Sequence, residues 1–170
     1  MKRHPSLIPL SHDHHDTLVV AQGLIRGRPT APRSDWPTDR RAQADRLAAF
    51  FESTLRPHFA AEEADVFPLA ERLLPDHADL VNALRKDHAD LQAEILALPA
   101  RSDADLAVRL PALGARLEAH VRSEERVLFE AVQKAASPDE LERLGAKLAH
   151  ERQRTVACVA PDPGAAPSER

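Results

Sequence analysis

An all-α fold, an antiparallel up-and-down four-helix bundle with a short additional C-terminal helix, is the architecture this sequence predicts, on three observations. Alanine, leucine, glutamate and arginine dominate the 170 residues, and all four favour helices. Five glycines, five phenylalanines and no tyrosine leave little material for twisted sheets. Apolar residues recur every three or four positions through four long segments that proline-containing junctions separate. A chain of this length builds one core.

Punctuation sets the elements in order. After the leader MKRHPSLIP, the first helix is expected from about Ser11 to Arg26, stopping at Gly27 before the Pro-rich link RPTAPRSDWP. The second begins near Thr38 and reaches about Leu74, with Pro57 inside it as either a bend or a restart. Pro75-Asp76 opens the third, which Pro99 ends after Leu98. Ser102, Asp103 and Asp105 supply a cap and first-turn acids for the fourth, which contains Pro111 and continues to about Ala136. Ser137-Pro138-Asp139-Glu140 starts the fifth as a capping box with proline in the first position. The bundle is placed at residues 5–157, and residues 158–170, rich in proline and polar groups, read as a disordered tail.

Several function classes are disfavoured. A formal charge of −4, from 23 basic and 27 acidic side chains that are interspersed, gives no basic stripe for nucleic acid. The single cysteine, Cys158, reads as an ordinary thiol. LIPL is too short for a secretory signal core, and no uncharged run is long enough for a bilayer span, so a cytoplasmic protein away from membranes is expected.

Two copies of one motif carry the chemistry: His58-x-x-x-Glu62 in LRPHFAAEEADVFPL and His120-x-x-x-Glu124 in LEAHVRSEERVLF. On a helix, a spacing of four puts imidazole and carboxylate on one face, about 40° apart, where both can reach a single point. His14 interrupts the apolar pattern of the first helix, and His88 interrupts the stripe Val81, Leu84, Leu91, Ile95 of the third. All four helices therefore offer a metal-binding side chain in the seam that faces their neighbours. Burying a lone carboxylate costs several kcal/mol as an order of magnitude, so two buried glutamates require a positive centre. Oxygen and imidazole ligands suit iron, manganese or zinc, and two bidentate glutamates favour two ions sharing carboxylates over one. Glu63 and Glu125, which follow the motifs, are expected to be helix-edge charges paired with arginines such as Arg122 or Arg126, with a contact to a ligand histidine as the alternative. Phe59, Phe67 and Phe129 are expected to pack around the site, and Trp36 over a bundle end.

The segments DHHDTL, HFAAEEADVFPL, KDHADL and HVRSEERVLF together resemble a bacterial hemerythrin-like, or HHE cation-binding, domain across residues 5–157. That resemblance implies an up-and-down bundle holding two iron ions with bridging carboxylates and an oxo or hydroxo group. It assigns His14, His58, Glu62, His88, His120 and Glu124 as metal ligands, with His12 and His15 as alternatives to His14. Leu84 and Gln92 stand where the family's oxygen carriers would place a second helix-three histidine, which leaves a coordination position open. The function implied is binding of dioxygen or a related small molecule, such as nitric oxide or peroxide, for sensing, storage or protection. The alternatives are a di-iron oxidoreductase acting on peroxide, nitric oxide or ferrous iron, and a metal-stabilised regulatory bundle, with manganese or zinc as other metals and a homodimer or regulatory partner as further expectations.

Overall fold

A computed structural model describes residues 2–28 and 35–159. The Pro-rich link at 29–34, the tail from residue 160 and the Cys158 side chain lie outside what is described. Five helices follow: α1 (Ile8–Arg26), α2 (residues 40–73), α3 (Ala78–Leu96), α4 (residues 103–135) and α5 (Pro138–Val159). No strand occurs among the described residues, and no helix among them is long and apolar enough to cross a membrane.

The ends follow local chemistry. α1 begins three residues earlier than its sequence suggests because Pro9 falls in the first turn, where a missing N–H costs nothing. It stops at Gly27, whose φ of 65° is the left-handed conformation that only glycine adopts freely. Asp39 caps α2 by accepting from the Ala42 N–H at 2.9 Å, and Ser102 caps α4 by accepting from Asp105 at 3.2 Å. Ser137 and Glu140 form the expected reciprocal box, with the Ser137 N–H donating to the Glu140 carboxylate at 2.8 Å and the Glu140 N–H to Ser137 Oγ at 3.3 Å. α5 is 22 residues long because Leu141, Leu144 and Leu148 form a buried stripe that docks on the N-terminal turn and α2.

Helix direction is visible in the core. One apolar cluster contains Leu24, Leu55, Leu91 and Leu117, and a second contains Leu10, Val66, Leu84 and Leu128. α1 runs from the second cluster to the first, α2 from the first to the second, α3 back again and α4 back once more, which is up-and-down topology. Between the clusters each helix passes through one layer of buried polar side chains. Beside the first cluster α1 and α4 approach closely because Gly114 has no Cβ: one would sit 2.7 Å from the Ala21 carbonyl oxygen.

Two widened turns keep the core stripes in line. The buried series His58, Glu62, Val66, Ala70 and His120, Glu124, Leu128, Val132 advance in steps of four. At 3.6 residues per turn each such step overshoots by about 40°, so three would carry the stripe off the core. π-helical turns at Glu62–Val66 and Glu124–Leu128 absorb the overshoot. A third, Phe51–Leu55, lies just before Pro57. The Arg56 N–H reaches back to the Phe51 carbonyl, and the proline, which cannot donate and would crowd a tighter turn, follows without breaking the helix. Pro57 is thus neither a restart nor an end of α2.

Trp36 packs over the end of α1, only 7 % exposed, with its ring where a Gly23 side chain would be. A Cβ at Gly23 would lie 2.5 Å from the indole. Gly23→Ala should therefore destabilise the fold by about 1–3 kcal/mol through overpacking, with a shift in Trp36 fluorescence; urea melts showing wild-type stability would contradict this packing.

Candidate metal centre

The polar layer is built from one histidine on each helix of the bundle and one glutamate on α2 and α4. Glu62 and Glu124 are 0 % exposed, and His14, His58, His88 and His120 no more than 4 %. All six converge. They form two groups, His14, His58, Glu62, Glu124 and His88, His120, Glu62, Glu124, each with its donor atoms within 4.8 Å of one another. The glutamates belong to both groups.

The imidazole nitrogens meet in pairs, close enough to share a proton or a cation. The His14 and His58 Nε2 atoms are 2.9 Å apart, and those of His88 and His120 are 3.1 Å apart. Two nitrogens at right angles about 2.1 Å from one ion would be about 3.0 Å apart, whereas tetrahedral ligands would be about 3.4 Å apart. Around the carboxylates, Nε2 atoms stand at 3.3 Å for His58–Glu62, 3.2 Å for His120–Glu124, 3.2 Å for His14–Glu124 and 3.4 Å for His88–Glu62. All four oxygens of Glu62 and Glu124 are nonetheless without a hydrogen-bond partner among the described residues. Four orphaned carboxylate oxygens at zero exposure are very costly unless a cation takes them. The residues fit metal ions.

Each histidine turns its other nitrogen outward to a carboxylate. His14 Nδ1 meets Glu125 at 2.7 Å, His88 Nδ1 meets Glu63 at 2.9 Å, His58 Nδ1 meets Asp13 at 3.2 Å and Asp87 stands 3.7 Å from His120 Nδ1. The partners of His14, His58 and His88 fix the ring so that Nε2 carries the lone pair for a metal, whereas His120 Nδ1 has no hydrogen-bond partner among the described residues. The pattern is two-fold: Asp-His on α1 and α3, His-x-x-x-Glu-Glu on α2 and α4. Aromatic packing repeats it, with Phe129 stacked on His14 and Phe67 on His88, both with centroids 5.3 Å apart. Phe59 adds a closer stack on His88 at 3.9 Å.

A family model, the hemerythrin HHE cation-binding domain, matches residues 7–132. The chain belongs to the hemerythrin HHE cation-binding family. Neither a curated protein nor a solved structure matches it. Within this hemerythrin-type bundle, His12 and His15 are exposed, and of the three neighbouring histidines only His14 faces the interior. The expectation that Glu63 and Glu125 are plain helix-edge charges is corrected. Both bind ligand-type histidines, Glu125 the His14 ring on α1 and Glu63 the His88 ring on α3. Arg122 pairs instead with Glu118. Asp13 and Asp87 were missed by sequence reasoning, although the repeated Asp-His dipeptide was there to find.

Without a cation, the cluster balances its carboxylates with protons. Burial opposes charge on His14, yet contacts to Glu124, Glu125 and Glu62 hold its pKa well above the usual imidazole value. Burial likewise opposes charge on His88, but Glu124 and Glu62 raise it to about 10. Glu62 stays well below the usual carboxylate range because His58, His14 and His88 outweigh its burial. The sign follows for the chelated protein. Histidines raised in the folded state contribute stability that is complete below about pH 6.5, their unfolded value. That stability fades as pH climbs towards about 10, the His88 value. Thermal melts of chelated protein should fall steadily from pH 6.5 to 9.5, and metal added at pH 8 should release protons. A flat melt profile with no proton release would mean the imidazoles are already neutral.

Proposed function

We propose that the bundle is a non-haem di-iron protein that binds dioxygen or a related small molecule, nitric oxide or peroxide, for sensing, storage or protection. The observation that carries this reading is the pair of imidazole pairs sharing the same two buried glutamates. With carboxylates bridging, each ion would receive two nitrogens and two oxygens from the chain. Nitrogens near right-angle spacing suit an octahedral ion such as iron or manganese better than a tetrahedral zinc site. Bound iron would supply a centre able to ligate diatomic molecules and exchange electrons with them.

The chain's own residues do the rest. The carboxylates on the outward nitrogens of His14, His58 and His88 orient these imidazoles and keep a proton on Nδ1. Phe59, Phe67 and Phe129 cover the rings and keep bulk water away from the layer. The same two groups of donors also suit the second reading, an oxidoreductase that turns over peroxide, nitric oxide or ferrous iron. Reductant consumption distinguishes the two, because reversible binding needs none.

Anaerobic ferrous titration should saturate at two irons per chain, and admitting oxygen should produce a charge-transfer band that disappears when oxygen is removed. Because Glu62 serves both groups, Glu62→Ala should lose both irons, whereas His14→Ala should lose one. Iron that washes out of a still-folded wild-type chain would sink the di-iron reading, and a band that never reverses would argue against reversible binding.

A further inference from the structure

The two halves of the centre differ in what stands behind the histidines. Behind His14, Glu125 is itself held: Arg3 donates to its carboxylate at 2.5 Å and to its backbone carbonyl at 2.7 Å, and the Ser11 hydroxyl donates at 2.6 Å. The Arg3 guanidinium also lies 5.4 Å over the Phe129 ring that stacks on His14. Behind His88, Glu63 has 40 % of its side chain exposed and no arginine partner among the described residues. Arg85 occupies the matching place, 5.4 Å over Phe67, but its guanidinium is taken by Glu71 at 2.8 Å. The second histidines repeat the contrast. Asp13 is 19 % exposed and 3.2 Å from His58, whereas Asp87 is 46 % exposed and 3.7 Å from His120.

We propose that Arg3 is a positioning residue that makes the two metal positions inequivalent, so that the position built on His14 and His58 retains its ion while the one built on His88 and His120 exchanges it. The physical cause is preorganisation. A carboxylate held by a charge-assisted bond from Arg3 Nη2, which also grips the Glu125 backbone carbonyl, and by a hydroxyl cannot swing away, so the imidazole it grips stays aimed into the layer when the ion departs, and the ion is recaptured. A carboxylate open to water on one side holds its imidazole less firmly. The proposal rests on the two-ion reading above, and the loading stoichiometry tests that reading separately.

The chain is loaded anaerobically with ferrous iron, the irons per chain are counted, and loss to a colorimetric ferrous chelator is followed in time. Wild type should release one iron fast and one slowly. Arg3→Ala should speed the slow phase about tenfold or more, the scale on which such outer partners act, and bring it towards the fast phase. Arg85→Ala removes the matching stacked cation without touching a histidine partner, and should leave both phases unchanged. Glu63→Gln should speed only the fast phase and Glu125→Gln only the slow one. Should Arg3→Ala fold poorly by circular dichroism, Arg3→Lys, which keeps the charge but loses the planar guanidinium that spans Glu125, Gln133 and the Phe129 ring, should give an intermediate slow phase. Two irons leaving wild type in a single phase, a slow phase indifferent to both Arg3 variants, or the reverse assignment for Glu63 and Glu125 would overturn the proposal. Wild type loading fewer than two irons would overturn the two-ion reading and the proposal with it.

Discussion

Two carboxylates buried at zero exposure, Glu62 and Glu124, are the constraint to which the rest of this molecule answers. Each would cost several kcal/mol uncompensated, against a total stability of about 5–15 kcal/mol for an ordinary domain. The surroundings are arranged in shells of alternating charge. Next to the glutamates come four imidazoles and the space they and the glutamates define together, then the carboxylates of Asp13, Glu63, Asp87 and Glu125, then the Arg3 guanidinium. Each shell makes the one inside it tolerable.

The apolar clusters on either side of this layer do what the layer cannot. Leucines at the same helical phase above and below the histidines supply burial without any polar atom to satisfy, and they fix the four helices tightly enough to give the donors their spacing. The widened turns at Glu62 and Glu124 reconcile the two requirements. They let a stripe that steps by four remain in register with leucines on both sides, while Glu63 and Glu125 reach the histidines of adjacent helices.

The helices and the inner polar layer were legible because they depend on local periodicity. His58, Glu62, His120 and Glu124 announce themselves by spacing, His14 and His88 by interrupting apolar stripes, and Ser102 and Ser137 by their caps. What escaped depends on departures from ideal helix geometry or on contacts distant in sequence. Glu63 and Glu125 sit about 100° from the inward glutamates on a regular helix, at the flank where a glutamate is long enough to reach the next helix, and periodicity alone does not say which neighbour it meets. The signal for the widened turns was present, since three successive steps of four cannot stay on one face of a regular helix. Arg3 is more than a hundred positions from Glu125, and nothing in a short leader marks it as a partner. α5, expected to be short, runs for 22 residues, beyond the buried stripe of Leu141, Leu144 and Leu148 that could be read from the sequence.

The sharing of glutamates has a topological consequence. Both nitrogens of one group come from the hairpin of α1 and α2, and both of the other from the hairpin of α3 and α4, whereas each hairpin lends its glutamate to both groups. The halves of the chain are thus stitched crosswise through the same atoms that would hold the ions. Pulling the hairpins apart would break every such set at once, so a loaded centre would act as a removable cross-link added to the apolar clusters that already join the two hairpins, closing a long loop without a covalent bond.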